Sequence, residues 1–252
     1  MSGHSKWANI KHKKEAADKV KGKAFSRLGK EIMVAAKMGG GDPNANPRLR
    51  AALAAAKAAN MPNANVERAI KKGLGELGDV VYEEIVYEGY GAGGVAVIVD
   101  CLTDNRNRSI SEVRMAIERN NGNMAGSGAV ARMFKRQAHF VISGEWADED
   151  KLMDVVLENG ANDLEVEDGV AEVWADPEFF EDLLKVFEEK GIPTDEAEVV
   201  RKPEMVTEIT DVSIARQVMR MIDRLEELDD VQNVTSNYEL SDAVAEELEN
   251  DE

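Results

Sequence analysis

"VVYEEIVYEGYGAGGVAVIVDCL", residues 80–102, is where the chain changes character. Apolar residues ahead of it recur at helical spacing. Here two runs rich in Val, Ile and Tyr flank the glycine-rich GAGG, as strands flank a hairpin turn. A lone hairpin cannot bury a face, so it must find partners elsewhere in the chain. Downstream, Ser109 to Glu112 has the form of a capping box, opening a helix with Ile110, Val113 and Ile117 inward. NNGNMAGSG, 120–128, ends that helix, and AVARMF, 129–134, predicts a further strand. A second helix is missing.

The missing part lies beyond residue 203, where a helix over about 211–228 (Ile214, Val218, Ile222 and Leu225 inward) precedes a strand, VQNVTSNYEL. Between the two pieces lies a complete unit. AHFVISG is a strand, 148–159 a helix stopped at Gly160, and DLEVED and VAEVWA pair around Asp168-Gly169, a hairpin turn signal. Asp176-Pro177 caps a helix carrying Phe180, Leu183, Leu184 and Phe187, and EAEVVRK is the last strand. The order βαββαβ is the ferredoxin-like pattern.

Residues 1–78 read as three alanine-rich helices. The first, about 16–38, carries Phe25, Leu28, Ile32 and Ala36, and MGGGDPNANP, 38–47, ends it. Asn46 caps the second, with Pro47 in its first turn and Leu49, Ala52, Leu53 and Ala56 on one side. The third has Val66, Ala69 and Ile70 inward and Gly73 as its stop. The fold class is therefore α+β in three domains. These are a basic helical domain (1–78), a discontinuous α/β domain (79–136 plus 204–240) and an inserted ferredoxin-like domain (137–203). An acidic tail (241–252) follows that frays or lies as a loose helix.

The formal charge of −18 conceals a division. Residues 1–75 hold sixteen Lys or Arg against five Asp or Glu, a net of +11, and the remainder carries −29. One end is drawn to polyanions and the other is repelled by them. The opposing reading is mutual neutralisation within the molecule. No apolar run is long enough to cross a bilayer, and no secretory signal is present, so a cytoplasmic, non-membrane protein is expected.

Enzyme motifs do not emerge. The glycines of 39–41 lack a following Lys-Ser/Thr and a preceding strand. GYGAGG leads into a strand rather than the helix a dinucleotide site needs. Three histidines and one cysteine, Cys101, make no metal cluster, and the strand context of Cys101 points to a buried thiol. No cofactor, metal or catalytic residue is expected, and the chain is read as a monomer.

Two basic features remain. The first is the stretch holding Lys6, Lys11, His12, Lys13 and Lys14, continued by Lys19, Lys21, Lys23, Arg27 and Lys30. Lysines of this kind grip phosphate without reading bases, and Trp7 offers either a stacking face or an anchor. The second is DNRNRS, 104–109. Here Arg106 and Arg108 at a helix start form an anion site, or else pair with nearby acids.

GHSKWANIKHKK (3–14), GGGDPNANPRLRAAL (39–53), NMPNANVERAIKKG (60–73), YEGYGAGGVAVIV (87–99) and DNRNRS resemble the YebC family. It includes bacterial proteins labelled probable transcriptional regulators and the mitochondrial translational activator of cytochrome c oxidase. The resemblance is collinear over nearly the whole chain. It implies a helical domain with two α/β domains, a cytoplasmic role in gene expression, and Lys6, Lys11, Lys13 and Lys14 as nucleic-acid contacts. Ala92, where many members have proline, and Arg132, where an aromatic is common, depart from the pattern. The expected function is that of a non-enzymatic, DNA-binding transcriptional regulator. The alternative is a ribosome-associated translation factor relieving stalls at proline-rich stretches through RNA contacts.

Overall fold

A computed structural model describes residues 17–78 and 81–250. They form two compact units, one built from the chain up to Ala131 together with Val206 onward, the other from Arg132–Met205.

The first unit begins with three helices, α1 (Ala17–Gly39), α2 (Pro47–Ala58) and α3 (Asn63–Gly73). Their small apolar faces close on a core of Ile32, Ala35, Leu49, Ala52, Ala56, Met61 and Ala69. Asn46 ties α1 to α2. Its side-chain oxygen accepts from Leu49 N at 3.1 Å, and its amide donates to Ala35 O at 2.7 Å and Gly40 O at 2.9 Å. That satisfies an orphan donor at the start of α2 and fastens it to carbonyls at and just past the end of α1. α3 ends at Gly73, as its position suggests, but in helical conformation, with Leu74 as the C-cap. Gly73 is needed for close approach, since a Cβ there would lie 2.3 Å from Met33 O on α1.

The hairpin of residues 80–102 forms as β1 (Glu83–Tyr90) and β2 (Ala96–Thr103), paired antiparallel throughout. Then come α4 (Arg106–Glu118) and β3 (Asn123–Ala125). After the second unit the chain returns as β8 (Thr207–Ile209), α7 (Val212–Glu226), β9 (Val231–Ser236), β10 (Tyr238–Leu240) and α8 (Asp242–Asn250). The sheet order β3-β1-β2-β9 brings the returning strand beside β2. Val97, Val99 and Cys101 of β2 share one core with Val113 and Ile117 of α4 and Val218, Met221 and Leu225 of α7.

Several local expectations are corrected here. Asn105, not Ser109, caps α4, its side chain accepting from Arg108 N at 3.1 Å. Ser109 is buried and bonds elsewhere, so the Ser109–Glu112 capping box does not form. The third strand falls at 123–125 rather than 129–134, where a short 3₁₀ turn occupies Ala131–Met133. Buried Glu88 holds the intervening loop by accepting from Gly128 N, Val130 N and Ala131 N at 2.6–3.0 Å. VQNVTSNYEL is two strands, because Asn237 leaves the ladder and β10 pairs in parallel with β8. The tail is not loose through residue 250: α8 buries Val244 and Leu248 in the main core.

The second unit contains β4 (Phe134–Ser143), α5 (Glu149–Leu157), β5 (Ala161–Glu167), β6 (Val170–Ala175), α6 (Phe180–Lys190) and β7 (Glu196–Pro203). Its order β5-β6-β4-β7, all antiparallel, is the ferredoxin-like arrangement. Asp168 and Gly169 both take positive φ, 51° and 77°, as the tight hairpin turn requires. Asp176 does not cap α6. Pro177–Phe179 forms a 3₁₀ turn first, and the Asp176 carboxylate pairs with Lys135 at 2.8 Å. The fold is α+β, a helical module followed by two sheet-and-helix modules.

Candidate nucleic-acid interface

Lys23, Arg27 and Lys30 recur along one side of α1. That side meets the end of α7 and the turn after it. Lys23 Nζ donates to Glu227 O at 2.9 Å, the Arg27 guanidinium to Glu226 O, and Lys30 Nζ to Asp229 O at 2.8 Å. The last carbonyls of a helix have no partner within it and sit at the negative end of its dipole, so cations dock there readily. Burial lowers the Arg27 pKa from its ordinary value, against the opposing pull of Glu226. Three of the cations expected to meet phosphate, Lys23, Arg27 and Lys30, are thus engaged within the molecule.

Lys30 also reaches the Asp230 carboxylate at 3.0 Å. Asp230 is 1% exposed. It accepts from Arg108 Nε at 3.0 Å and Nη2 at 2.7 Å, from Ser109 Oγ at 2.8 Å and from Thr103 Oγ1 at 3.0 Å. Burial alone would raise its pKa. The bonds from Arg108, Ser109, Lys30 and Thr103 outweigh burial and hold it at about 2. Arg108 therefore pairs with acids rather than awaiting an anion, since Asp104 takes its remaining Nη2 contact at 2.8 Å. Arg106 stays exposed on the first turn of α4.

Lys6, Lys11, His12, Lys13 and Lys14, with Trp7, lie outside the described residues, as do the side chains of Lys19 and Lys21. Within them, Lys37, Arg50, Lys57, Arg68 and Lys71 are exposed cations of the helical module. Sequence reasoning passed over Arg68 and Lys71, although the ERAIKKG of α3 places them three residues apart on an exposed side, with Lys71 and Lys72 in the last turn.

Burial, with Asp230 and Asp100 adding to it, pushes the Cys101 thiol up to about 12. His139 stacks on Trp174 with ring centroids 3.9 Å apart, and its Nε2 lies 2.9 Å from Glu172. Among the described residues no group of His, Cys, Asp or Glu is placed to hold a metal ion. Nor is any helix among them long and apolar enough to cross a membrane.

Comparison with known proteins matches both parts of the chain. The family model described as "TACO1/YebC protein N-terminal domain" covers residues 5–76, and "TACO1/YebC second and third domain" covers residues 82–238. A probable transcriptional regulatory protein of Geobacter sulfurreducens is 51% identical over 98% of this chain and 100% of its own length. One of the same description from Syntrophobacter fumaroxidans is 49% identical over the same shares. The crystal structure of a conserved hypothetical protein from Aquifex aeolicus superposes with a TM-score of 0.84 at 43% identity, covering 94% of this chain and 97% of that one.

Proposed function

The chain belongs to the TACO1/YebC family, and from that premise we propose that it is a non-enzymatic, DNA-binding transcriptional regulator whose basic module grips the phosphate backbone. Its relatives' description as probable transcriptional regulatory proteins supports this reading. The observation that carries it is the charge division, +11 before residue 76 and −29 after. Such a molecule approaches a polyanion by one end. With Lys23, Arg27 and Lys30 docked on the α7 terminus, phosphate contact falls to Lys6, Lys11, His12, Lys13, Lys14 and Lys21. Lys57, Arg68 and Lys71 extend that surface. Phosphate contacts give affinity and orientation, while base choice needs groove contacts.

Binding of the full chain to duplex DNA, followed by fluorescence anisotropy over a range of salt, tests this. Each phosphate contact adds about 0.9 to the slope of log affinity against log salt. Changing Lys6, Lys11, Lys13 and Lys14 together to Glu is expected to lower the slope by about 3 to 4. Equal slopes for wild type and variant remove the segment's role. Footprinting on promoters adjoining its own coding region tests regulation. Absence of a protected site, with tighter binding to ribosomal RNA at equal salt, selects the translation reading instead.

A further inference from the structure

The acidic body holds a second concentration of positive charge. After residue 75 there are fifteen Lys or Arg, and seven of them are arginines on α4, its C-cap and α7. Those are Arg106, Arg108, Arg114 and Arg119 on one helix and Arg216, Arg220 and Arg224 on the other. Only four acids accompany them, Glu112, Glu118, Asp223 and Glu226, and no lysine does. Elsewhere in the body acids outnumber bases by forty to eight.

The two helices lie side by side. Their inner faces share the core through Val113, Ile117, Val218 and Met221. Asn121, just past α4, donates to Gln217 near the start of α7 at 2.6 Å. Arg108, in the first turn of α4, pairs with Asp230 just past the end of α7. The pair is therefore antiparallel, with its outer faces turned away from the sheet. Arg108 is committed inward. Arg106, Arg114, Arg119, Arg216, Arg220 and Arg224 are all exposed.

Arg216, Arg220 and Arg224 advance by about 6 Å at each step of four residues, making a row along α7. Arg220 Nε donates to Arg216 O at 3.1 Å, so the three side chains follow one side of the helix. Arg224 meets Glu227 at 3.2 Å in an exposed pair that competes weakly with a stronger anion. On α4, Arg114 and Arg119 share an open stretch of helix surface with half-exposed Met115 and with Glu118. The exclusive use of Arg matters, because its planar fork bonds phosphate bidentately where Lys offers a point charge.

We propose that the outer face of the α4–α7 pair is a second phosphate-binding surface, which takes the backbone of the nucleic acid gripped by the basic N-terminal module. It rests on the reading of this protein as a nucleic-acid binder and adds a distinct site to it. The occupant follows from charge. A field of arginines set in a strongly acidic body attracts a polyanion here and repels it on all sides.

The test uses the full chain and a mixed-sequence DNA duplex, with anisotropy read over a range of salt. R216Q/R220Q/R224Q is expected to lower the salt slope by about 3, and R114Q/R119Q by about 2. R216K/R220K/R224K should restore most of the slope but not all of the affinity. Far-UV circular dichroism confirms that each variant is folded, and R114Q/R119Q decides the matter if the triple variant is not. Wild-type binding with both Gln variants unchanged in affinity and slope overturns the surface and leaves the N-terminal reading intact. Failure of the wild type to bind with any salt dependence overturns both.

Discussion

Asp230 and Asn237 are the residues on which most of the first unit's polar interior converges. Asp230 joins the helical module, α4 and β2 through Lys30, Arg108, Ser109 and Thr103. Removing one partner from a buried ionic cluster leaves the others desolvated and unpaired. Asp230→Ala is expected to cost about 3–5 kcal/mol, read as a shift in urea unfolding followed by circular dichroism. The pH dependence has a definite sign. A carboxyl lowered from 3.8 to about 2 contributes stability above its ordinary pKa and loses it as pH falls through the lower value. That contribution is about 2 kcal/mol, so wild type should weaken between pH 4 and 2 by that much more than Asp230→Asn. Asn237 is fully buried. Its side-chain oxygen accepts from Ala96 N at 2.7 Å, and its own backbone N–H donates to Ala96 O at 3.2 Å. Asn237→Ala would leave Ala96 N–H without an acceptor, costing about 1–3 kcal/mol in the same assay. Neither role is legible in the sequence. The partners are more than a hundred residues away, and an acid after a helix or an amide after a strand looks like ordinary surface.

Elements were legible where periodicity was strong and local. The hairpin at 83–103, the amphipathic α7 and the Asp168-Gly169 turn need only neighbours in the chain to specify them. Failures fell where a distant contact displaced a local rule. Ser109 gives up its capping role to reach Asp230. Gly73 ends α3 without the left-handed cap and is required for packing, because α1 and α3 cross where a Cβ on it would meet Met33 O. Gly73→Ala is expected to force those helices apart at about 1–3 kcal/mol, visible as a lowered melting temperature with no loss of intrinsic helix propensity. The tail misled because acidic composition suggests solvation. Val244 and Leu248, four apart, make an apolar stripe too narrow to announce itself. Truncation after Ser241 should expose the core beneath α8 and destabilise the first unit, measured by urea unfolding.

For the whole molecule, the insertion has a testable thermodynamic consequence. We propose that the inserted α/β domain folds on its own. Residues 132–205 are continuous in sequence and enclose their own core of Phe140, Ile142, Leu152, Leu183 and Phe187. That segment expressed alone should unfold cooperatively in urea. Trp146 and Trp174 both lie within it, so in a Trp7→Phe background tryptophan fluorescence follows this unit. Asp230→Ala is then expected to shift the circular dichroism transition and leave the fluorescence transition in place. By itself the sequence determined the α+β class, the helical start, both hairpins and the charge division, because hydrophobic period, turn chemistry and net charge are carried by neighbouring residues. Only the tertiary structure decided which cations find acceptors within the molecule. Lys23, Arg27, Lys30 and Arg108 look like phosphate ligands in one dimension. Folding brings the carbonyl end of α7 and the buried Asp230 carboxylate against them, acceptors that lie more than a hundred residues away in the chain.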